Sequence, residues 1–140
     1  MRAVGLVLVA VGLAALAAAW PGGPARGGAS TSATISIHFS RFSTSEVVAT
    51  AGVPITISLV NTDPIDHEWL VGDAAFHERH RTGTEAHHGA RPTEVSLAPG
   101  ASTRTTVMFD RPGEYLFICH LPGHEAYGMV GVLRVLPAAG

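Results

Sequence analysis

Residues 114–136, EYLFICHLPGHEAYGMVGVLRVL, decide how the rest of the chain is read. Glu114–Cys119 is apolar on both faces, which suits a strand in the middle of a sheet, and Val130–Leu136 reads as a second, closing strand. Between them, residues 119–129 hold one thiol, two imidazoles and one thioether: Cys119, His120, His124 and Met129. Pro122-Gly123 and Gly128 allow the backbone to turn sharply between the two strands. Cys119 is the only cysteine in the chain, so it has no intrachain partner.

Outward from this stretch the chain alternates in short runs divided by turn signals. Thr34–Phe39 places Ile35, Ile37 and Phe39 on one face and Thr34, Ser36 and His38 on the other. Glu46–Thr50 and Ile55–Val60 follow, then His67–Val71 with Trp69, Thr93–Leu97 and Ser102–Phe109, punctuated by Gly52-Val53-Pro54, Asn61-Thr62-Asp63-Pro64, Pro99-Gly100 and Arg111-Pro112-Gly113. About eight short strands with Gly/Pro punctuation predict an all-β fold, an antiparallel Greek-key sandwich or barrel. One stretch falls outside the pattern: Gly72–Pro92 forms a long loop insertion between strands, with room for one helical turn around Ala74–His80.

The N-terminus sets the compartment. Met1-Arg2 precedes eighteen uncharged residues, Ala3–Trp20, ending in small residues. Residues 1–20 read as a secretory signal or an N-terminal membrane anchor, with possible membrane attachment through residues 3–20. Residues 21–33 are a Gly/Pro/Ser/Ala-rich flexible linker, and residues 34–137 form one domain. The domain is therefore expected outside the cytoplasm: periplasmic, secreted, or anchored on the outer face of the cytoplasmic membrane. It has no lysine; setting aside Arg2 and Arg26, seven arginines face eleven acidic residues, a formal charge of −4. No basic stripe exists to hold nucleic acid, and that class is excluded.

A free thiol in an oxidising compartment invites oxidation or cross-linking. Three explanations remain open: an inert buried cysteine, a nucleophile, or a metal ligand. Cys119 ends a strand and runs straight into a polar loop, which disfavours burial, and no helix signal follows to activate a nucleophile. The ligand reading uses every residue. Cys119, His124 and Met129 are spaced five apart, and a thiolate, imidazoles and a thioether suit copper. Two histidines and a cysteine with a long axial methionine make a blue-copper site, whereas structural zinc rarely uses methionine. A second histidine must then come from elsewhere in the fold.

NTDPIDHEW (61–69), PGEYLFICHLPGH (112–124) and GMVGVLRV (128–135) together resemble the cupredoxins, the family of blue copper proteins, over residues 33–136. The resemblance implies a cupredoxin-like fold and four ligands to one type 1 copper ion: His67, Cys119, His124 and Met129. It also implies a protein that carries single electrons and turns over no substrate, with redox partner proteins docking near His124 over Leu121, Pro122, Ala126 and Tyr127. A monomer is expected. The chain departs from the family in having Glu68, where many members have Asn, and in its histidine-bearing insertion. His120 follows Cys119, but Ile118 precedes it and no His-x-His pair exists, so the multicopper oxidase reading fails for this chain alone; a domain serving as one part of a larger oxidase would need a partner chain with the catalytic metals.

His38 is expected on a polar strand face. His77 and His80 would share one face of a helical turn, and His77, His80, His87 and His88 read more readily as a solvated or partner-facing loop than as a second metal site. That histidine content also supports an alternative function, a copper-sequestering or copper-delivery protein in copper tolerance.

Overall fold

A computed structural model describes residues 29–82, 88 and 91–139; the segment read as signal or anchor, most of the linker, and His87 lie outside the described residues. Among the described residues eight strands form two sheets, with one helix outside them. The strands are β1 (Ser32–Ile37), β2 (Glu46–Thr50), β3 (Ile55–Asn61), β4 (His67–Gly72), β5 (Glu94–Leu97), β6 (Ser102–Val107), β7 (Gly113–Ile118) and β8 (Val130–Leu136), with helix α1 (Ala74–Arg81) between β4 and β5. One sheet has the order β1-β3-β6 and the other β2-β8-β7-β4-β5.

Alternation explains the layers. In β3, Ile55, Ile57 and Leu59 are essentially inaccessible while the residues between them are half-buried. They meet Val47, Trp69, Val71, Leu97, Phe117, Leu133 and Val135 of the other sheet in a single apolar core. Burial of a side chain the size of Phe117 contributes roughly 1.5–3 kcal/mol. The ring of Phe117 fills the space above Gly131 so closely that a Cβ there would lie 2.1 Å from its Cζ.

Two expectations change. The sheets are not wholly antiparallel: β1 pairs parallel with β3, and β2 with β8. Alternation reports which face a residue takes, not the direction of the neighbouring strand, so it could not have separated the two. Phe39 does not join the inward row of Ile35 and Ile37. The chain leaves the strand after Ile37, Phe39 and Ser40 take φ values of 50° and 52°, and the Phe39 ring is 80% exposed.

The insertion contains more structure than one turn. Asp73 caps α1 by accepting the Phe76 amide at 2.8 Å, and Arg79, His80 and Arg81 occupy the last turn, where the helix dipole favours cations. The helix packs on β4 and β7 from the side opposite the core, which is why all six residues of β4 are buried. Among the described residues no helix is long and apolar enough to cross a membrane.

Candidate metal centre

Strands β4 and β7 are antiparallel neighbours, so β4 begins where β7 ends. The pairing of Leu70 with Ile118 sets Cys119, the residue after β7, opposite Trp69, and His67, the first residue of β4, lies two residues along on the same face. On the core side of the sheet stand His67, Trp69, Phe117 and Cys119; on the outer side stand Glu68, Leu70, Ile118 and His120.

His67 is fully buried and held from behind. Its Nε2 lies 2.9 Å from Asp63 Oδ2, and Asp63 also accepts the backbone N–H groups of Phe39 (2.7 Å) and Ser40 (2.8 Å). These two successive amides form the kind of concavity that turns provide for anions, made possible by the positive φ of residues 39 and 40. A positive φ at a non-glycine residue costs about 1–3 kcal/mol, which the carboxylate contacts offset. Burial works to raise the Asp63 pKa, but the Ser40 and Phe39 amides and His67 outweigh it and hold the carboxylate below its ordinary range. Asn61 fixes the loop: its Nδ2 donates to the carbonyls of Ile65, Leu97 and Ala98, and its Oδ1 accepts the Asp63 amide. Since a carboxylate only accepts, the neutral His67 ring carries its proton on Nε2 and has its lone pair on Nδ1, the atom that faces His124.

The loop after β7 supplies the other groups. Gly123 and Gly128 take φ of 84° and 88°, a conformation that side chains disfavour, and between them the chain turns back so that the Met129 amide donates to the His124 carbonyl at 3.0 Å. The Cys119 amide donates to the Met129 carbonyl at 3.2 Å. Cys119 is fully buried, contrary to the expectation from the polar loop that follows it, because its side chain faces the core side of the sheet; Met129 is fully buried as well, and His124 half-buried. His124 Nδ1 lies 3.2 Å from both Cys119 Sγ and His67 Nδ1, and the Glu68 amide donates to Sγ at 3.4 Å.

The four residues read from the sequence are thus brought to one place: the two Nδ1 atoms and Sγ lie within 4.8 Å of one another, with buried Met129 bonded through its backbone to the same loop. Burial pushes the Cys119 thiol up to about 11 and the His124 imidazole down. Three lone-pair donors therefore converge in a setting that disfavours both a free thiolate and an imidazolium. A soft cation replacing the thiol proton resolves both, so the donor set fits a metal ion of the copper type.

The outer row answers the remaining sequence questions. Glu68 points away from this centre, its Oε1 3.2 Å from His88 Nε2, as strand alternation requires. The histidines of the insertion are not a solvated loop where they are described. His77 is buried, with Nε2 2.9 Å from the Leu116 carbonyl and Nδ1 2.9 Å from His120 Nε2. Burial lowers the His120 pKa to about 4, against the pull of Glu125, whose own charge is engaged by Arg81 at 2.6 Å. The packing of α1 on the sheet explains this burial, and composition alone could not reveal it. His38 is exposed and contacts Thr62 Oγ1 at 3.1 Å. Asp63 was missed in the sequence; its signal is an acid four residues before His67, at the turn after β3.

Comparison with known proteins places the fold. The chain is 31% identical over 99 residues to the copper-resistant cuproprotein CopI of Rubrivivax gelatinosus, covering 68% of this chain and 59% of that protein. It is 29% identical over 119 residues to its counterpart in Pseudomonas aeruginosa, covering 62% and 66%. The chain thus spans about three fifths to two thirds of the length of these relatives. The crystal structure of reduced auracyanin from Roseiflexus castenholzii superposes with a TM-score of 0.67 at 27% identity, over 79% of this chain and 100% of that one. The family model of the cupredoxin-like domain matches residues 6–132, and the chain belongs to that family.

Proposed function

We propose that the protein is an extracytoplasmic carrier of single electrons that uses one type 1 copper ion held by His67, Cys119, His124 and Met129. The observation that carries this reading is the convergence of His67 Nδ1, His124 Nδ1 and Cys119 Sγ, with the His67 tautomer fixed by Asp63. Copper bound there supplies a one-electron Cu(II)/Cu(I) couple. The chain's own part is to keep the donors in place in both oxidation states. Asp63 and Asn61 hold one ligand loop, and the backbone bonds among Cys119, His124 and Met129 hold the other. Little then has to rearrange when an electron arrives, and no substrate is turned over. Half-buried His124 lies among the exposed Pro122, Ala126 and Tyr127 and half-buried Leu121, a small apolar surface that suits brief docking of a redox partner.

A second reading, copper sequestration or delivery in copper tolerance, is favoured by the relatives named as copper-resistant cuproproteins. Voltammetry of the copper-loaded domain separates the two. A reversible one-electron couple that persists through repeated cycling supports the carrier. Loss of copper on reduction supports the handling protein and contradicts the carrier.

A further inference from the structure

We infer that the outer face of the five-stranded sheet carries a second binding site, for a borderline divalent transition-metal ion, built from His80, His88 and Glu94. It goes beyond the electron-carrier reading and stands or falls apart from it. His80 Nε2 lies 3.8 Å and His88 Nδ1 3.4 Å from the same oxygen, Glu94 Oε2, and one ligand atom from each residue lies within 4.8 Å of the others. A tetrahedral ion about 2.0–2.1 Å from nitrogen and oxygen ligands needs those ligands roughly 3.3 Å apart, close to the spacing present.

Each histidine is also prepared from behind. His80 Nδ1 lies 2.8 Å from the Phe76 carbonyl, which only accepts, so the ring's proton is on Nδ1 and its lone pair on Nε2. His88 stands between two carboxylates, its Nε2 3.2 Å from Glu68 Oε1 and its Nδ1 3.4 Å from Glu94 Oε2; a neutral ring that gives its one N–H to Glu68, the shorter contact, presents its Nδ1 lone pair on the Glu94 side. A histidine that gives one N–H to an oxygen and presents the other nitrogen is the arrangement that metal ligands take. Glu68 and Glu94 are buried, 4% and 6% exposed, and Arg91 Nη1 approaches Glu94 Oε1 at 3.1 Å from the exposed side. Two buried carboxylates that share a histidine favour a further positive charge between them. Access exists: an open groove of about 580 Å³ lined by His88, Arg91, Glu94 and Thr103–Thr106 reaches the cluster. Two imidazoles and a carboxylate, with no sulfur, select Zn(II) or Cu(II) of the borderline class.

The two centres lie back to back across one sheet. His67 and Glu68 are consecutive on β4, one facing each centre. The full chain dialysed against Cu(II) and passed over a desalting column should hold two ions, while the intense thiolate band saturates at the first. His80→Ala/His88→Ala should hold one, with the same band. Glu94→Gln, which keeps the side chain's shape, should weaken the second ion by about tenfold or more while leaving the band. In a Cys119→Ser/His124→Ala background the band should vanish and one ion remain, which separates failure of the copper carrier from failure of this site. A wild-type chain that holds one ion, or a His80→Ala/His88→Ala variant that still holds two, overturns the inference.

Discussion

Asp63→Asn changes one atom of the side chain and tests the whole support of His67. The native carboxylate accepts from three N–H groups, at 2.7, 2.8 and 2.9 Å. An amide keeps one accepting oxygen and turns an NH2 on the remaining donors. The Phe39 and Ser40 amides belong to an exposed turn, and water can replace much of what they lose. His67 is fully buried and has no such recourse. Either its Nε2–H stays unpaired, at about 1–3 kcal/mol, or the ring moves its proton to Nδ1 and accepts from the new amide. The second outcome preserves the fold but puts a proton on the atom that faces Cys119 and His124. A cation must then reverse the tautomer before it can bind. Loss of an oxygen partner behind a ligating histidine typically weakens metal affinity by about 10–100-fold, or roughly 1.4–2.7 kcal/mol. For the metal-free chain a loss of about 1–3 kcal/mol lowers the melting temperature by roughly 4–8 °C per kcal/mol. Competition of the purified variant against a chelator of known Cu(II) affinity, with thermal unfolding of the metal-free form, measures both. An affinity within about twofold of wild type together with an unchanged melting temperature would refute the role given to Asp63.

Met129→Leu should keep copper and raise the reduction potential, because the thioether, the weakest donor of the proposed set, would tune a bound copper more than hold it; voltammetry checks the shift, and loss of copper equal to that of His67→Ala or His124→Ala would count against a weak role for Met129. Gly131→Ala places a methyl group against the buried Phe117 ring and should cost about 1–3 kcal/mol of stability, read as a lower melting temperature of the metal-free chain; an unchanged value would mean that Phe117 can move aside.

Much of the candidate metal centre was legible because three of its proposed ligands occupy one contiguous stretch. Their spacing, two glycines that turn out to have φ of 84° and 88°, and the absence of a second cysteine are all local features. His67 needed the family resemblance, since nothing local separates it from the other histidines. Asp63 was not legible because its role depends on Phe39 and Ser40 adopting a conformation that neither residue type favours, and alternation pointed Phe39 inward instead. The strands could be read from alternation and the Gly/Pro turns between them, and β7 from being apolar on both faces, but the parallel pairings β1–β3 and β2–β8 could not. The outer cluster was hidden for another reason. His80, His88 and Glu94 come from a helix, a residue beyond it and the strand that follows, and no local pattern in the sequence says that they meet.

The measurement that bears most directly on the central claim is the visible absorption spectrum of the full chain titrated with Cu(II), recorded beside Cys119→Ser. Thiolate-to-copper charge transfer should give the wild-type protein an intense visible band that grows to one equivalent and then stops, and the variant should lack it. A Cys119→Ser protein coloured as strongly as wild type, or a wild-type protein that binds Cu(II) without the band, would contradict a type 1 copper at His67, Cys119, His124 and Met129.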